Sequence, residues 1–173
     1  MFPVSLSRTV FQFIRTQKEK GISAAMPVET TISTPLPGGV DPSAVVALLH
    51  NHELYIRTTC PQLISFTRVS GPSPAAIGEP VLFQVVDRRP TGQTTYKLTL
   101  TNHAEGVDSL VDGKAPTGTM AIRTRWRVRG EAGLLEEEIE IDSNIITKKM
   151  VKGNIEKGHP EHHRTFLAEA ARA

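Results

Sequence analysis

A chain of 173 residues with 39% apolar and 22% charged side chains has the length of one domain and the material for one core, which excludes a disordered or fibrous polymer. Its formal net charge of +2 is too small for a nucleic-acid partner, which requires a concentrated basic footprint. The single cysteine, Cys60, excludes an internal disulfide and a multi-cysteine zinc site and makes the cytoplasm the default location; no stretch reaches the roughly 18–20 consecutive apolar residues of a membrane span.

The charge is uneven. Residues 1–20 carry Arg8, Arg15, Lys18 and Lys20 against Glu19, a local net charge of +3 that leaves −1 for the rest of the chain. Leu6, Val10, Phe13 and Ile14 recur at helical spacing, so residues 1–27 read as an amphipathic helical extension, with organelle targeting as the alternative. Residues 28–173 read as the domain proper.

Within that domain, Val28 to Leu36 predicts a strand that stops at Pro35 and Pro37 and turns at Gly38-Gly39. Asp41 and Pro42 then start a helix that runs to about Asn51, with Val45, Val46, Leu48 and Leu49 on its buried side. From Gln62 the period becomes strand-like. Strands are expected at Leu63–Val69, Val81–Asp87, Gln93–Thr101, Val107–Val111, Thr117–Arg129 and Leu134–Asp142, with turn clusters that include Asp112-Gly113 between them.

The last two strands are the most informative. Met120, Ile122, Thr124, Trp126 and Val128 alternate with Arg123, Arg125, Arg127 and Arg129. Leu135, Ile139 and Ile141 alternate with Glu136, Glu138, Glu140 and Asp142. Pairing these strands as a hairpin sets an arginine row opposite an acidic row on a solvated face. The same phase carries Glu137 onto the apolar face, where a carboxylate needs a partner. A terminal helix from about Asn144 to Ala171 follows, capped by Ser143 or Asn144, with Ile146, Met150, Val151, Ile155, His162 and Phe166 near one face. Gly158 and Pro160 predict a kink or break near His159. A strand, a helix, an antiparallel run and a closing helix make an α+β domain of the helix-grip (START-like) kind: a curved antiparallel sheet around a long C-terminal helix, with an internal cavity.

Particular residues carry a resemblance. Thr34-Pro-Leu-Pro-Gly-Gly-Val40, Leu49-His-Asn-His52, Ala115-Pro-Thr-Gly118, Thr124-Arg-Trp-Arg-Val128 and Val151-Lys-Gly-Asn-Ile-Glu-Lys157 together resemble a fungal family, the domain of unknown function 7053. That family is similar in outline to START-like, polyketide-cyclase-like (SRPBCC) proteins. The resemblance covers roughly Thr30 to Leu167. It implies a hydrophobic cavity between sheet and terminal helix, and a function between lipid carriage and cofactor-free cyclisation. It carries no catalytic motif onto particular residues.

Glu156, His159 and His163 are spaced i, i+3, i+7, but Pro160 spoils a common helical face, so no metal is expected. His50 and His52 close the first helix, where histidines cap carbonyls; His52 is in addition a candidate proton shuttle near the cavity mouth. Nothing near Cys60 would activate its thiol, and no nucleophile elbow, phosphate loop or dinucleotide fingerprint occurs. The candidate catalytic residues are Glu137, His52 and Tyr96, and the candidate substrate contacts are Trp126, Thr124, Met120, Phe83 and Met150. The expected partner is an apolar small molecule, with no cofactor; a homodimer is left open. Two functions fit: a cofactor-free cyclase or isomerase of secondary metabolism acting on a polyketide- or terpenoid-like substrate, a Diels–Alder closure included, or a non-catalytic carrier of lipids and similar molecules.

Overall fold

A computed structural model describes residues 26–115 and 118–172; the helix expected before residue 26 lies outside the described residues. Seven strands and three helices follow in the order β1 (Val28–Pro35), α1 (Pro42–His50), α2 (His52–Thr59), β2 (Leu63–Ser70), β3 (Pro80–Arg89), β4 (Gly92–His103), β5 (Gly106–Ala115), β6 (Gly118–Arg129), β7 (Leu134–Asp142) and α3 (Ile145–Ala170). The strands form one antiparallel sheet in the order β1-β7-β6-β5-β4-β3-β2. Five hairpins lay β2 to β7 side by side, and β1 closes the far edge on β7. The result is the expected helix-grip order.

Alternation sets the register. Arg123 faces Glu140, Arg125 faces Glu138 and Trp126 faces Glu137 across β6 and β7. Two rungs of the outer row are ion-paired, Arg123–Glu140 at 3.0 Å and Arg125–Glu138 at 3.2 Å. Arg127 turns instead to Asp108, at 2.6 Å, and Arg129 reaches Glu105 and Glu136. The inner face carries Trp126, Val128, Leu135, Ile139 and Ile141, all buried. They meet Val45 and Leu49 of α1, Tyr55 and Ile56 of α2, and Ile155, Phe166 and Leu167 of α3.

Three local expectations change. The first helix is two: the α1 chain leaves helical geometry at Asn51, whose side chain accepts from Leu54 N at 3.1 Å and so starts α2. Asp112-Gly113 is no turn, since β5 runs on to Ala115. A Cβ at Gly113 would lie 3.1 Å from Cβ of Tyr96, so this glycine makes room for a neighbouring side chain rather than a bend. Finally, α3 is capped by Asn144 and runs unbroken through Gly158 and Pro160. Proline removes one backbone bond and crowds the carbonyl four residues before it, a local cost in a 26-residue helix, and packing on both sides of it outweighs that cost.

If inner-face packing carries the sheet, Ile139→Ala should lower stability by about 2–5 kcal/mol and Arg125→Ala by less than about 1 kcal/mol in urea unfolding. Equal losses would contradict this division of labour.

Candidate functional site

Between the inner sheet face, the end of α2 and the middle of α3 lies a cavity of about 210 Å³. Its deep wall holds Glu137 on β7, Thr124 on β6, Ser109 on β5, Tyr55 on α2 and His159 on α3; Asp87, Arg89, Tyr96, Lys114 and Met120 also line it. Strand alternation puts Glu137, Thr124 and Ser109 there, because each shares the phase of the apolar core positions on its strand.

Glu137 has no exposed surface. His159 Nδ1 stands 2.9 Å from both its oxygens, and His163 Nε2 is 3.4 Å from Oε2. His163 Nδ1 in turn lies 3.0 Å from the Thr34 hydroxyl on β1. Burial alone would raise the Glu137 pKa, but the hydrogen bonds and charges of the two histidines outweigh it, and the carboxyl lies below its ordinary value. An ionised carboxylate only accepts, so His159 donates its Nδ1 proton and, when neutral, keeps its lone pair on Nε2. Behind this pair, His163 packs its ring 4.6 Å from that of Trp126. His162 packs against His159 with ring centres 4.9 Å apart; burial, and then the His159 charge, push it down to about 4.

A second polar group stands at the other side of the cavity. Tyr96 donates to Asp87 Oδ2 at 3.1 Å, and its oxygen lies 3.2 Å from Cys60 Sγ. Burial first, then the neighbouring Cys60 and Asp87, raise the Tyr96 pKa. Burial likewise raises that of Cys60, so both stay protonated: the phenol is a hydrogen-bond donor and the thiol is inert. Tyr55, raised chiefly by burial, keeps its proton beside the Ser109 and Thr124 hydroxyls, which are 2.7 Å apart.

Of the residues singled out from sequence, Glu137, Tyr96, Thr124 and Met120 line the cavity together. The rest lie elsewhere. His52 is held at Asn102 Oδ1, 2.9 Å away, edge-on to Phe83, because Asn51 restarts the helix and turns it aside. Phe83 packs in the core against Phe66, and Trp126 is core beneath the cavity, between Tyr55, His163 and Phe166. Met150 is exposed on the solvent side of α3. His50 lies 3.0 Å from the carbonyls of His103 and Gly106 and so ties α1 to the β4–β5 turn. Glu156 pairs with Lys152 and Thr30 and so stays apart from His159 and His163; among the described residues no three His, Cys, Asp or Glu side chains converge as a metal site.

Sequence reasoning missed His159 as the partner of Glu137, and missed Asp87, Tyr55 and Ser109. The available signal for His159 was that a continuous helix places it four residues from His163 and one turn from Ile155, on the side that must cover the in-phase Glu137.

An antiparallel sheet gripping one long helix around a cavity defines a helix-grip domain. The chain belongs to the family described as domain of unknown function DUF7053, whose model matches residues 27–172. Solved structures share the fold at low identity. Ara h 8.0201 is 11% identical with a TM-score of 0.56, over 86% of this chain and 99% of that one. The ZhuI aromatase/cyclase from Streptomyces sp. R1128 is 14% identical with a TM-score of 0.54, over 85% and 94%. BexL, a di-domain aromatase/cyclase of the BE-7585A biosynthetic pathway, is 12% identical with a TM-score of 0.55, over 83% of this chain and 48% of that one. No curated protein matches the chain.

The half-buried His162 gives a stability test. A folded-state pKa of about 4 for His162, against about 6.5 in the unfolded chain, means the unfolded state binds the extra proton first. Stability should therefore fall as pH drops from about 6.5 towards 4, with the Glu137 contribution lost further down. In thermal unfolding followed across this range, His162→Gln should flatten the upper part of the decline; an unchanged slope would show that His162 does not set it.

Proposed function

We infer that the chain takes a small, largely apolar molecule into this cavity and catalyses its cofactor-free cyclisation or isomerisation, with the His159–Glu137 pair moving the proton. The observation that carries the reading is a fully buried carboxylate, held ionised by His159, in the wall of a cavity that also presents protonated hydroxyls. Buried ion pairs add little to stability compared with apolar packing, and acid–base pairs in clefts are enriched at sites of chemistry. The names of ZhuI and BexL as aromatase/cyclases support the same class of reaction.

The chemistry follows from the geometry. Glu137 accepts a hydrogen bond from His159 Nδ1, which orients the ring and leaves Nε2 to act as the base. Nε2 then takes a proton from a carbon beside a substrate carbonyl. The developing enolate oxygen is stabilised by hydrogen bonds from the Tyr55, Ser109 and Thr124 hydroxyl cluster. The enolate carbon attacks a second carbonyl of the same molecule, one carbon–carbon bond forms, and His159 returns the proton to the new alkoxide. No atom is gained or lost, and the imidazole is regenerated. A pericyclic closure would need positioning alone; the buried pair favours proton transfer. Polyketide- or terpenoid-like precursors of secondary metabolism are the substrates to test, and 210 Å³ against the usual ~300–1,000 Å³ of ligand pockets favours the shorter ones.

Trp126 is the only tryptophan and packs under the cavity, so ligand entry can be followed by its fluorescence. With a precursor that binds, product analysis should show turnover that His159→Gln reduces by about 10²–10⁴-fold, with affinity changed only a few-fold. Binding without any change in conversion rate or product ratio would leave the carrier reading in its place.

A further inference from the structure

The elements around the cavity change from polar to apolar in the same direction. On β5 the inward positions after Ser109 are Val111 and Gly113, and their partners on β6 are Thr124, Ile122 and Met120. On α3, His159 holds Glu137, and Ile155, one turn earlier, also lines the cavity. On α2, Tyr55 stands beside the Ser109 and Thr124 hydroxyls, while Thr59, one turn on, spends its own hydroxyl on the Tyr55 carbonyl at 2.8 Å. Inward positions recur every second residue on a strand and every turn on a helix, so these gradients run side by side. Carboxylate, imidazole and hydroxyls share one end of the cavity, and aliphatic side chains line the next four residues of strand, about 13 Å.

The apolar stretch has a bare place in its wall. Gly113 pairs with Met120 and has Tyr96 on its other side, whose Cβ would stand 3.1 Å from a Cβ on the glycine. Among the described residues, no other atom beyond the glycine's chain neighbours lies within 4 Å of that position. The Tyr96 contact accounts for a glycine here, and the open space is its consequence. Gly113 shares the inward phase of Val111 and lines the cavity, so a side chain at this position would project into the cavity rather than into packed core. Met120 occupies the other half of the same rung. Tyr96 adds no free donor at this end, because its hydroxyl is already given to Asp87.

We propose that the cavity binds molecules with a carbonyl group at one end and an apolar tail at the other, carbonyl inward, and that Gly113 with Met120 sets the longest tail accepted. The proposal rests on the reading of this cavity as the ligand site and adds orientation and length to it. With the carbonyl inward, its oxygen meets the Tyr55, Ser109 and Thr124 hydroxyls, and the tail lies against Val111, Ile122 and Ile155. In the reverse orientation the carbonyl would be buried among side chains that donate nothing, and the tail would lie against the polar end, a loss at both places. The rung of Gly113 and Met120 ends the aliphatic stretch, so a tail that reaches it gains from each further carbon only while the bare wall at Gly113 leaves room.

The test is calorimetric titration of the full chain with methyl ketones whose unbranched alkyl tail is lengthened one methylene at a time. Affinity should rise about fourfold per methylene up to a cut-off length and then stop rising. Gly113→Ala should bring the cut-off forward by about one methylene, and Met120→Ala, which removes volume from the same rung, should push it back. Shorter ketones should bind both variants as they bind the native chain, which shows that the fold is kept. Thr124→Val should instead weaken short and long ketones alike, by about fivefold. A cut-off that neither Gly113→Ala nor Met120→Ala moves would overturn the proposal, as would a Thr124→Val effect confined to the longest ketones, or no ketone binding to the native chain. Conversion is not part of the readout: a cut-off that moves as stated, with no precursor turned over, removes the catalytic reading and leaves this one standing.

Discussion

A carboxylate sealed from water must draw its solvation from whatever is packed over it, and at Glu137 that supply comes from one helix. His159 and His163 lie on successive turns of α3, and both can face Glu137 only if the helix passes over β7 without a break. This requirement competes with Pro160, which lies between them. The cost of a missing backbone bond, a few kcal/mol for an interior proline, is set against a buried charge that would otherwise stand alone, a comparable or larger penalty. The charge wins, and the helix stays whole. Thr34 extends the same chain of contacts to β1, so the site joins the first strand, the last strand and the last helix.

That dependence explains what could be read in advance. The phase of β6 and β7 was legible because alternation is local: Leu135, Ile139 and Ile141 mark one face, and Glu137 falls among them. The pairing of Arg125 with Glu138 and the position of Thr124 follow from the same count. What could not be read is tertiary. His159 lies 22 residues from Glu137 in sequence, and Gly158 and Pro160 beside it argue locally for a break. Helical spacing alone ends the first helix at His52, at the cavity mouth; the chain instead begins a new helix at Asn51, and that small change of direction exchanges His52 for Tyr55 and Cys60 at the cavity wall. Gly113 resembled a turn residue beside Asp112, and only the passing Tyr96 side chain shows why it is glycine.

The cavity thus holds two polar groups, Glu137 with His159 and Tyr96 with Asp87 and Cys60, together with the Tyr55, Ser109 and Thr124 hydroxyls. At one side a carboxylate is kept charged by histidines; at the other, burial keeps a phenol and a thiol neutral. The contrast arises from partners rather than residue type, since burial acts on all of these groups, and only Glu137 faces two imidazoles, at 2.9 and 3.4 Å. A ligand lying between them would meet a carboxylate–imidazole pair on one side and, on the other, a neutral phenol whose proton is already donated to Asp87.

The sheet order has a consequence for assembly. Strands β2 to β7 are joined by hairpins and find their neighbours locally, whereas β1 pairs Val28 with Ile141 across nearly the whole domain, and α3 must come back over both. Loop-closure entropy makes those the most expensive contacts to form and favours their forming after the hairpins. Until they do, Glu137 lies on an open sheet with water as its only company. The Glu137–His159 pair is therefore made by the same event that completes the chain's longest-range strand pairing, and a molecule that has not finished folding holds no closed cavity at all.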